Sequence, residues 1–180
     1  MEQIYISLGS DCSVAYQLQI RNLRKLALPF DWIRINNINS LIAVLETNFQ
    51  YFLDNLIIER ESDKFPIIAE DYIDTISKTL VIKNTRYNIM FPHEIKEEYE
   101  LEIFKEKYYR RINRFIEIIK DPSIKKIFIR ASNKTENIEL LNKTLAKITN
   151  NYKLIAIEYD NKIKYSSWHH NEYQWESVLS

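Results

Sequence analysis

Residues 4–15, IYISLGSDCSVA, hold the only glycine and the only cysteine of the 180-residue chain. The apolar residues 4–6 predict a short strand, residues 8–11 predict a sharp turn, and Cys12 begins a predicted helix. Because the chain uses glycine once, we expect Gly9 to stand where a positive φ angle or a close backbone approach disfavours other residues. This stretch therefore predicts a strand, a tight turn and a helix in immediate succession.

Cys12 has two interpretations at this point. The N-terminus of a helix offers free N–H groups and the positive end of the helix dipole, which lower the pKa of a thiol. This position favours a nucleophilic cysteine. A free cysteine is also among the most buried residue types and often acts as a small hydrophobic side chain. Both interpretations remain open.

Composition limits the classes of protein to consider. A length of 180 residues with 46% hydrophobic and 13% aromatic residues predicts one folded domain spanning residues 1–180. A formal net charge of zero gives no support for a nucleic-acid partner or an anionic membrane surface. A single cysteine forms no internal disulfide and no cysteine-based zinc site, and no apolar run approaches the roughly 20 residues of a membrane span. We therefore predict a protein of the cytoplasm, or of the host cytoplasm for a viral source, with no cofactor, no metal and no membrane partner.

The stretch LALPFDWI, residues 26–33, is an unusually apolar loop. Pro29 excludes a regular helix there, so we expect the loop to lie under the core and to bury Asp31. A buried carboxylate needs partners. Asp31 is therefore either a structural hub that accepts hydrogen bonds from loop N–H groups or a residue that orients a catalytic histidine.

The remaining pattern predicts a three-layer α/β domain. The segment from residue 126 to 159 reads as strand, helix and strand, which predicts parallel pairing through a right-handed crossover. Ligands bind beyond the carboxyl ends of such strands, where the turns after Leu8 and Arg130 meet if their strands are neighbours. We predict a central, at least partly parallel sheet flanked by helices. The other predicted elements are a helix at 39–48, a second helix or an extension of it at 49–56, a hairpin at 79–83 and 87–91 with His93 just after it, and a long helix at 94–120.

Two further groups of residues have alternative roles. Arg110, Arg111 and Arg114 lie on the long predicted helix and form either a solvated face that suits the helix dipole or a clamp for an anion. The tail contains Trp168 and Trp175, and tryptophans this close to a terminus indicate that the tail docks onto the body.

Several blocks of the chain resemble a known family, and they are SLGSDCSVAYQL, LPFDWI, FPHE, YYRRINRF and IFIRASN. The resemblance is to the DUF1796 family of bacteria and large DNA viruses, whose members are described, from a predicted activity, as papain-like cysteine peptidases. It extends from residue 7 to about residue 133. It implies a papain-like α+β fold as the alternative to our α/β prediction.

The resemblance also implies roles for individual residues. Cys12 would be the nucleophile, His93 the general base, and the N–H groups of residues 10–12 the oxyanion hole. A third group must fix the histidine tautomer. Papain-like order points to Asn133 or Asp160, whereas the buried loop points to Asp31, which we predict. The residues predicted to bind substrate are Gly9, Ser10, Asp11, Arg130 and Asn133.

The sequence leaves three functions to compare. The first is a cysteine-dependent hydrolase, a peptidase, amidase or acyl transferase, acting on a small molecule or peptide through Cys12 and His93. The second is an SGNH-like esterase or sugar-modifying hydrolase, in which His169 or His170 serves as the base. The third is a non-catalytic module that binds a phosphate or nucleotide at the Gly9 turn with help from Arg130 and from Arg110 or Arg114. A phosphate-loop NTPase is excluded because the chain has no GxxxxGK[ST] motif.

Overall fold

A computed structural model describes residues 2–59, 67–68, 73–74, 79–132, 136–158 and 172–179. The strands are β1 Gln3–Ser7, β2 Leu56–Glu59, β3 Ile67–Ile68, β4 Ile73–Asp74, β5 Leu80–Asn84, β6 Ile89–Ile95, β7 Lys125–Ser132 and β8 Tyr152–Glu158. The α-helices are α1 Ser13–Ile20, α2 Ile38–Glu46, α3 Leu101–Lys120, α4 Ile138–Ile148 and α5 Glu172–Leu179. A short 3-10 helix, Glu98–Glu100, precedes α3.

The first sheet is parallel, in the order β1-β7-β8. Ser7 at the end of β1 pairs with Ile129 of β7, so the turn after β1 lies beside the carboxyl end of β7. β7 and β8 are also parallel and are joined through α4, as the strand-helix-strand pattern predicts. The predicted parallel pairing of these strands is confirmed, but β7 continues past Arg130 to Ser132, and residues 133–135 after it lie outside the described residues.

Helices cover both faces of this sheet because side chains alternate along β7. Ile127 and Ile129 pack in one cluster with Val14 of α1 and Trp175 of α5. Phe128, between them in sequence, packs in the larger cluster that includes residues of α2, α3 and α4. The three-layer α/β prediction is confirmed, and the buried Trp175 agrees with a docked tail.

The second sheet is antiparallel, in the order β2-β5-β6, and the predicted hairpin forms its β5-β6 part. Its turn contains Asn88 with a φ angle of 52°, a left-handed conformation that asparagine tolerates. Phe91 of β6 packs against Phe104 and Tyr108 of α3, with ring centroids 5.1 Å apart in each pair. β3 and β4 form a separate two-stranded antiparallel sheet.

The predicted helix over residues 49–56 is wrong. The segment after α2 is a run of turns in which Asn48, Phe49 and Tyr51 have positive φ angles, and residue 56 begins β2. The side-chain amide of Asn84 donates to three carbonyl oxygens of this segment, those of Tyr51, Phe52 and Asp54. These bonds take the place of the backbone hydrogen bonds that a helix would form, and the phenylalanines of the segment are still buried in the core. The apolar run therefore indicates burial and does not indicate a helix.

The start of the long helix also differs from the prediction. β6 continues to Ile95, so His93 lies within a strand and not after it, and α3 begins at Leu101. Glu97 and Glu100 form a capping box at the intervening 3-10 helix, which sets the start of the helical segment. The apolar periodicity of the segment does not reveal this boundary.

Replacing Trp175 with alanine tests the docking of α5. The side chain is 1% exposed in the cluster against β7, so Trp175→Ala is expected to lower the free energy of unfolding by about 3–5 kcal/mol in urea titrations. Tyr99→Ala is the matched control because Tyr99 is 79% exposed, and it should change stability little. An equal, small effect of both substitutions would contradict docking of the tail.

Candidate active site

The turn after β1 has the conformation that the single glycine predicts. Gly9 and Ser10 have φ angles of 71° and 84°. The Leu8 N–H donates to the Ile129 carbonyl at 2.9 Å, and the Gly9 N–H donates to Ser7 Oγ at 3.2 Å. Only the positive φ angle disfavours a larger residue at position 9, because an added Cβ atom would lie 3.7 Å or more from the neighbouring atoms. The turn is therefore tightly bonded on its inner side and locally strained at Ser10.

Cys12 and His93 are in contact although 81 residues separate them. Cys12 is the residue before α1, and its Sγ lies 3.1 Å from Nε2 of His93 on β6. The two residues are 4% and 2% exposed. The structure thus brings together the two residues predicted as nucleophile and base, in a buried setting.

A backbone bridge positions the LPFDWI loop beside β6. The Arg34 N–H donates to the Met90 carbonyl at 2.9 Å, and the Met90 N–H donates back at 3.1 Å. Trp32 of this loop packs against Cys12 and Ala15. The loop therefore forms an apolar wall of the thiol site.

The pKa of the Cys12 thiol is raised, contrary to the expectation from a helix N-terminus. Burial is the main cause; the charges of Asp11 and Glu94 add to it, and that of Arg34 opposes it. Asp11 already occupies the helix end, because its Oδ1 accepts from the Ser13 N–H at 2.8 Å. The resting site therefore holds a protonated thiol.

Asp31 is buried, as predicted, and its carboxylate bonds residues of its own loop and of the segment just before it. Its Oδ2 accepts hydrogen bonds from Arg24 Nε at 2.9 Å and from the Leu28 N–H at 2.8 Å. Burial raises the pKa of this carboxyl, and Arg24 opposes that effect. These bonds are those of a structural hub; the assignment of Asp31 as the residue that orients His93 stays a prediction.

A buried charge cluster that the sequence patterns did not predict lies next to His93. The carboxylate of Glu94 accepts from the Tyr108 hydroxyl at 2.8 Å and from Arg111 Nη1 at 3.1 Å, and it pairs with Lys107. Burial raises the pKa of Glu94, but Arg111 and Lys107 outweigh it and hold the pKa at about 2. The sequence signal for this cluster was the spacing of Lys107, Tyr108 and Arg111, which places them on one face of the long helix.

Three of the arginines predicted to contact anions, Arg111, Arg114 and Arg130, make bonds within the protein, whereas Arg110 is exposed. Arg111 pairs with Glu94, and Arg114 Nη1 donates to the Ala27 carbonyl at 2.7 Å. The guanidinium of Arg130 bonds the carbonyls of Leu8 and Ile35 and pairs with Glu136. Arg111 is buried, so it does not lie on the solvated face predicted as one alternative for its helix. Arg130, predicted to bind substrate, is buried as well.

Other predicted site groups lie at the turn or outside the described residues. The backbone N–H groups of Ser10, Asp11 and Cys12 meet no acceptor among the residues that the structure describes. Asn133, like the alternative candidates Asp160, His169 and His170, falls outside the described residues. The described part of the chain has no cluster of three metal-ligating side chains. None of its helices is long and apolar enough to cross a membrane.

Glu94 should give the protein a specific acid sensitivity. A carboxylate with a lowered pKa stabilises the folded state above its ordinary pKa of 4.5, and this stability is lost as the pH falls toward about 2. The loss is expected to be on the order of 3 kcal/mol. Urea titrations from neutral pH to about pH 2 should show it in the wild type and not in Glu94→Gln.

Glu46→Gln is the control for this prediction, because Glu46 is an exposed partner of Lys147 at 3.6 Å. This variant should keep the acid dependence of the wild type. Asp31, whose pKa is raised, contributes with the opposite sign and is present in all three proteins. An acid dependence in Glu94→Gln equal to that of the wild type would contradict the assignment.

Comparison with known proteins identifies the family of the chain. No solved structure matches the chain. A protein described as "Uncharacterized protein R408", from Acanthamoeba polyphaga mimivirus, is 27% identical over an alignment covering 99% of this chain and 97% of that protein. The family profile described as "Putative papain-like cysteine peptidase (DUF1796)" matches residues 3–161, a span that includes both Cys12 and His93. The chain therefore belongs to the DUF1796 family.

Proposed function

We propose that the protein is a cysteine-dependent hydrolase or acyl transferase acting on an amide or ester, with Cys12 as nucleophile and His93 as general base. The observation that carries this proposal is the 3.1 Å contact between Sγ and Nε2. It lies within the distance at which a base can take a thiol proton. Membership of a family described as papain-like cysteine peptidases supports the same chemistry.

The first half-reaction follows from this contact. Sγ attacks the acyl carbon while its proton passes to Nε2 of His93, and an S–C bond forms in a tetrahedral intermediate. The intermediate collapses as the bond to the leaving group breaks, and His93 returns the proton to the leaving nitrogen or oxygen. Water, or another acceptor, then releases the acyl group from the thioester with the proton again passing through His93.

The turn supplies donors for the charge that develops on the acyl oxygen. The N–H groups of Ser10, Asp11 and Cys12 meet no described acceptor and lie next to the nucleophile. Such donors stabilise the oxyanion of a tetrahedral intermediate. Ser10, Asp11 and Cys12 would thus act on the substrate through the backbone, whereas the Gly9 N–H already donates to Ser7 Oγ.

The raised pKa of Cys12 constrains the proposed mechanism. Because burial keeps the thiol protonated, proton transfer to His93 accompanies the attack and does not precede it. With the two residues 4% and 2% exposed, a substrate reaches Sγ only when the chain around it opens locally. A thiol that reacts slowly with general reagents is consistent with this site.

The buried guanidinium of Arg130 weighs against the phosphate-binding alternative. It already bonds two carbonyls and a carboxylate, so it has little capacity left for a ligand. The SGNH-like alternative requires His169 or His170, which lie outside the described residues. No described contact favours either alternative over the cysteine-dependent reaction.

Acetylation by p-nitrophenyl acetate tests the proposal without knowledge of the natural substrate. The wild type should release p-nitrophenolate and gain one acetyl group at Cys12, detected by mass spectrometry of peptides. Cys12→Ala should gain none there, and His93→Gln should react about 10²- to 10⁴-fold more slowly because it lacks a base.

Thr144→Val is the control variant, because Thr144 is a buried polar residue on α4 whose hydroxyl has no described partner. It should react like the wild type. Circular dichroism should show that all variants remain folded. A folded wild type that is not acetylated at Cys12, or a His93→Gln variant that reacts at the wild-type rate, would overturn the proposal.

A further inference from the structure

We propose that Arg130 is a positioning residue that orients the backbone N–H donors of the turn before Cys12, and that Glu136 holds Arg130 in place. This inference rests on the proposed function, because it assigns the means by which the oxyanion donors are fixed. It replaces the prediction that Arg130 binds substrate. Four hydrogen bonds of one buried guanidinium carry the argument.

The guanidinium joins the two backbone segments that hold the turn. Its Nη1 donates to the Leu8 carbonyl at 3.0 Å, and its Nη2 donates to the Ile35 carbonyl at 2.8 Å. Arg130 is only 1% exposed, so water cannot easily replace these bonds. Leu8 lies four residues before Cys12 in the sequence. Ile35 is connected to the same turn because its N–H donates to the Ser10 carbonyl.

Peptide geometry connects these bonds to the proposed oxyanion donors. The N–H and C=O of a trans peptide point in opposite directions. The Ser10 carbonyl accepts from the Ile35 N–H at 3.2 Å, so the Asp11 N–H of the same peptide points away from Ile35. Arg130 holds Ile35 through the Ile35 carbonyl, and through the Leu8 carbonyl it holds the Leu8–Gly9 peptide, two peptides before that of Ser10 and Asp11. It thereby determines the direction in which the Asp11 N–H points.

Strain in the turn makes this support necessary. Ser10 has a φ angle of 84°, which costs a residue other than glycine on the order of 1–3 kcal/mol. Such a conformation persists only where surrounding contacts determine it. The contacts that do so here are the bonds of Arg130 and the Ile35 N–H.

Glu136 fixes the guanidinium from the other side. Its Oε2 accepts from Arg130 Nε at 2.9 Å and its Oε1 accepts from Nη2 at 2.7 Å, which makes the pair bidentate. A bidentate pair sets the plane of the guanidinium as well as its position. The ammonium of a lysine cannot hold a carboxylate and two carbonyls in the same plane, so Arg130→Lys should keep the charge and lose the orientation.

Lys126 provides a matched control on the same strand. It lies four residues before Arg130 on β7, is buried, and donates to the carbonyls of Asp121 and Asn150. Like Arg130 it is a buried cation that holds two backbone carbonyls, but it lies at the other end of the strand. Lys126→Met therefore measures the effect of losing a buried cation that holds backbone carbonyls away from the turn before Cys12.

The experiment compares two reactions of Cys12 in each variant. Acetylation by p-nitrophenyl acetate passes through an oxyanion, whereas alkylation by iodoacetamide does not. Local opening around the thiol precedes both reactions, and in both the thiol proton passes to His93. The ratio of the two rates therefore cancels these shared requirements. Misplaced oxyanion donors should lower this ratio about 10- to 100-fold in Arg130→Lys and Glu136→Gln, because small misplacements at a reacting centre carry costs of that size.

The outcomes separate this inference from the proposed function. A lowered ratio in Arg130→Lys and Glu136→Gln, with a wild-type ratio in Lys126→Met, supports the positioning role. A wild-type ratio in the first two variants, or an equal fall in Lys126→Met, overturns it while the acetylated wild type still supports the proposed function. A wild type that is alkylated but never acetylated at Cys12 overturns both.

Discussion

The parallel pairing of β1 with β7 is the constraint on which the site depends. It places the end of β1 beside Ile129, so the chain must turn sharply at Gly9 and Ser10 before α1 can begin. The next residue of β7, Arg130, then reaches the Leu8 carbonyl with its guanidinium. Strand pairing, turn strain and a buried cation act together on one short segment, and that segment ends in Cys12.

The two members of the candidate pair come from different sheets. Cys12 follows the parallel sheet, whereas His93 belongs to the antiparallel sheet. Aromatic packing from α3 connects the two sheets: Phe104 contacts Phe91 of β6, and Phe115 contacts Phe128 of β7. The distance between Sγ and Nε2 therefore depends on a core assembled from both sheets, reinforced by the ion pair of Glu94 with Arg111.

Sequence patterns predicted which helices and strands exist better than they predicted the residues at which these begin and end. Alternation and helical periodicity correctly gave β1, the hairpin, α4 and the parallel arrangement, because these patterns arise directly from which faces are buried. The predicted helix over residues 49–56 failed because Asn84, a residue distant in sequence, bonds the carbonyls of that segment. The start of α3 was missed because a capping box at Glu97 stops the helix from extending back to residue 94.

The sequence by itself determined the chemical types at the site: one glycine for the positive φ, one cysteine after it, and a buried Asp31. Only the tertiary structure decided that His93 contacts Cys12. It also decided that Asp31 bonds Arg24 and Leu28, and that Arg130 donates a hydrogen bond to the Leu8 carbonyl of the turn. Conformational preferences are local properties of the backbone, so a sequence displays them directly. Contacts across 81 or 122 residues, and the burial that raises the pKa of Cys12, exist only once the sheets and helices have packed.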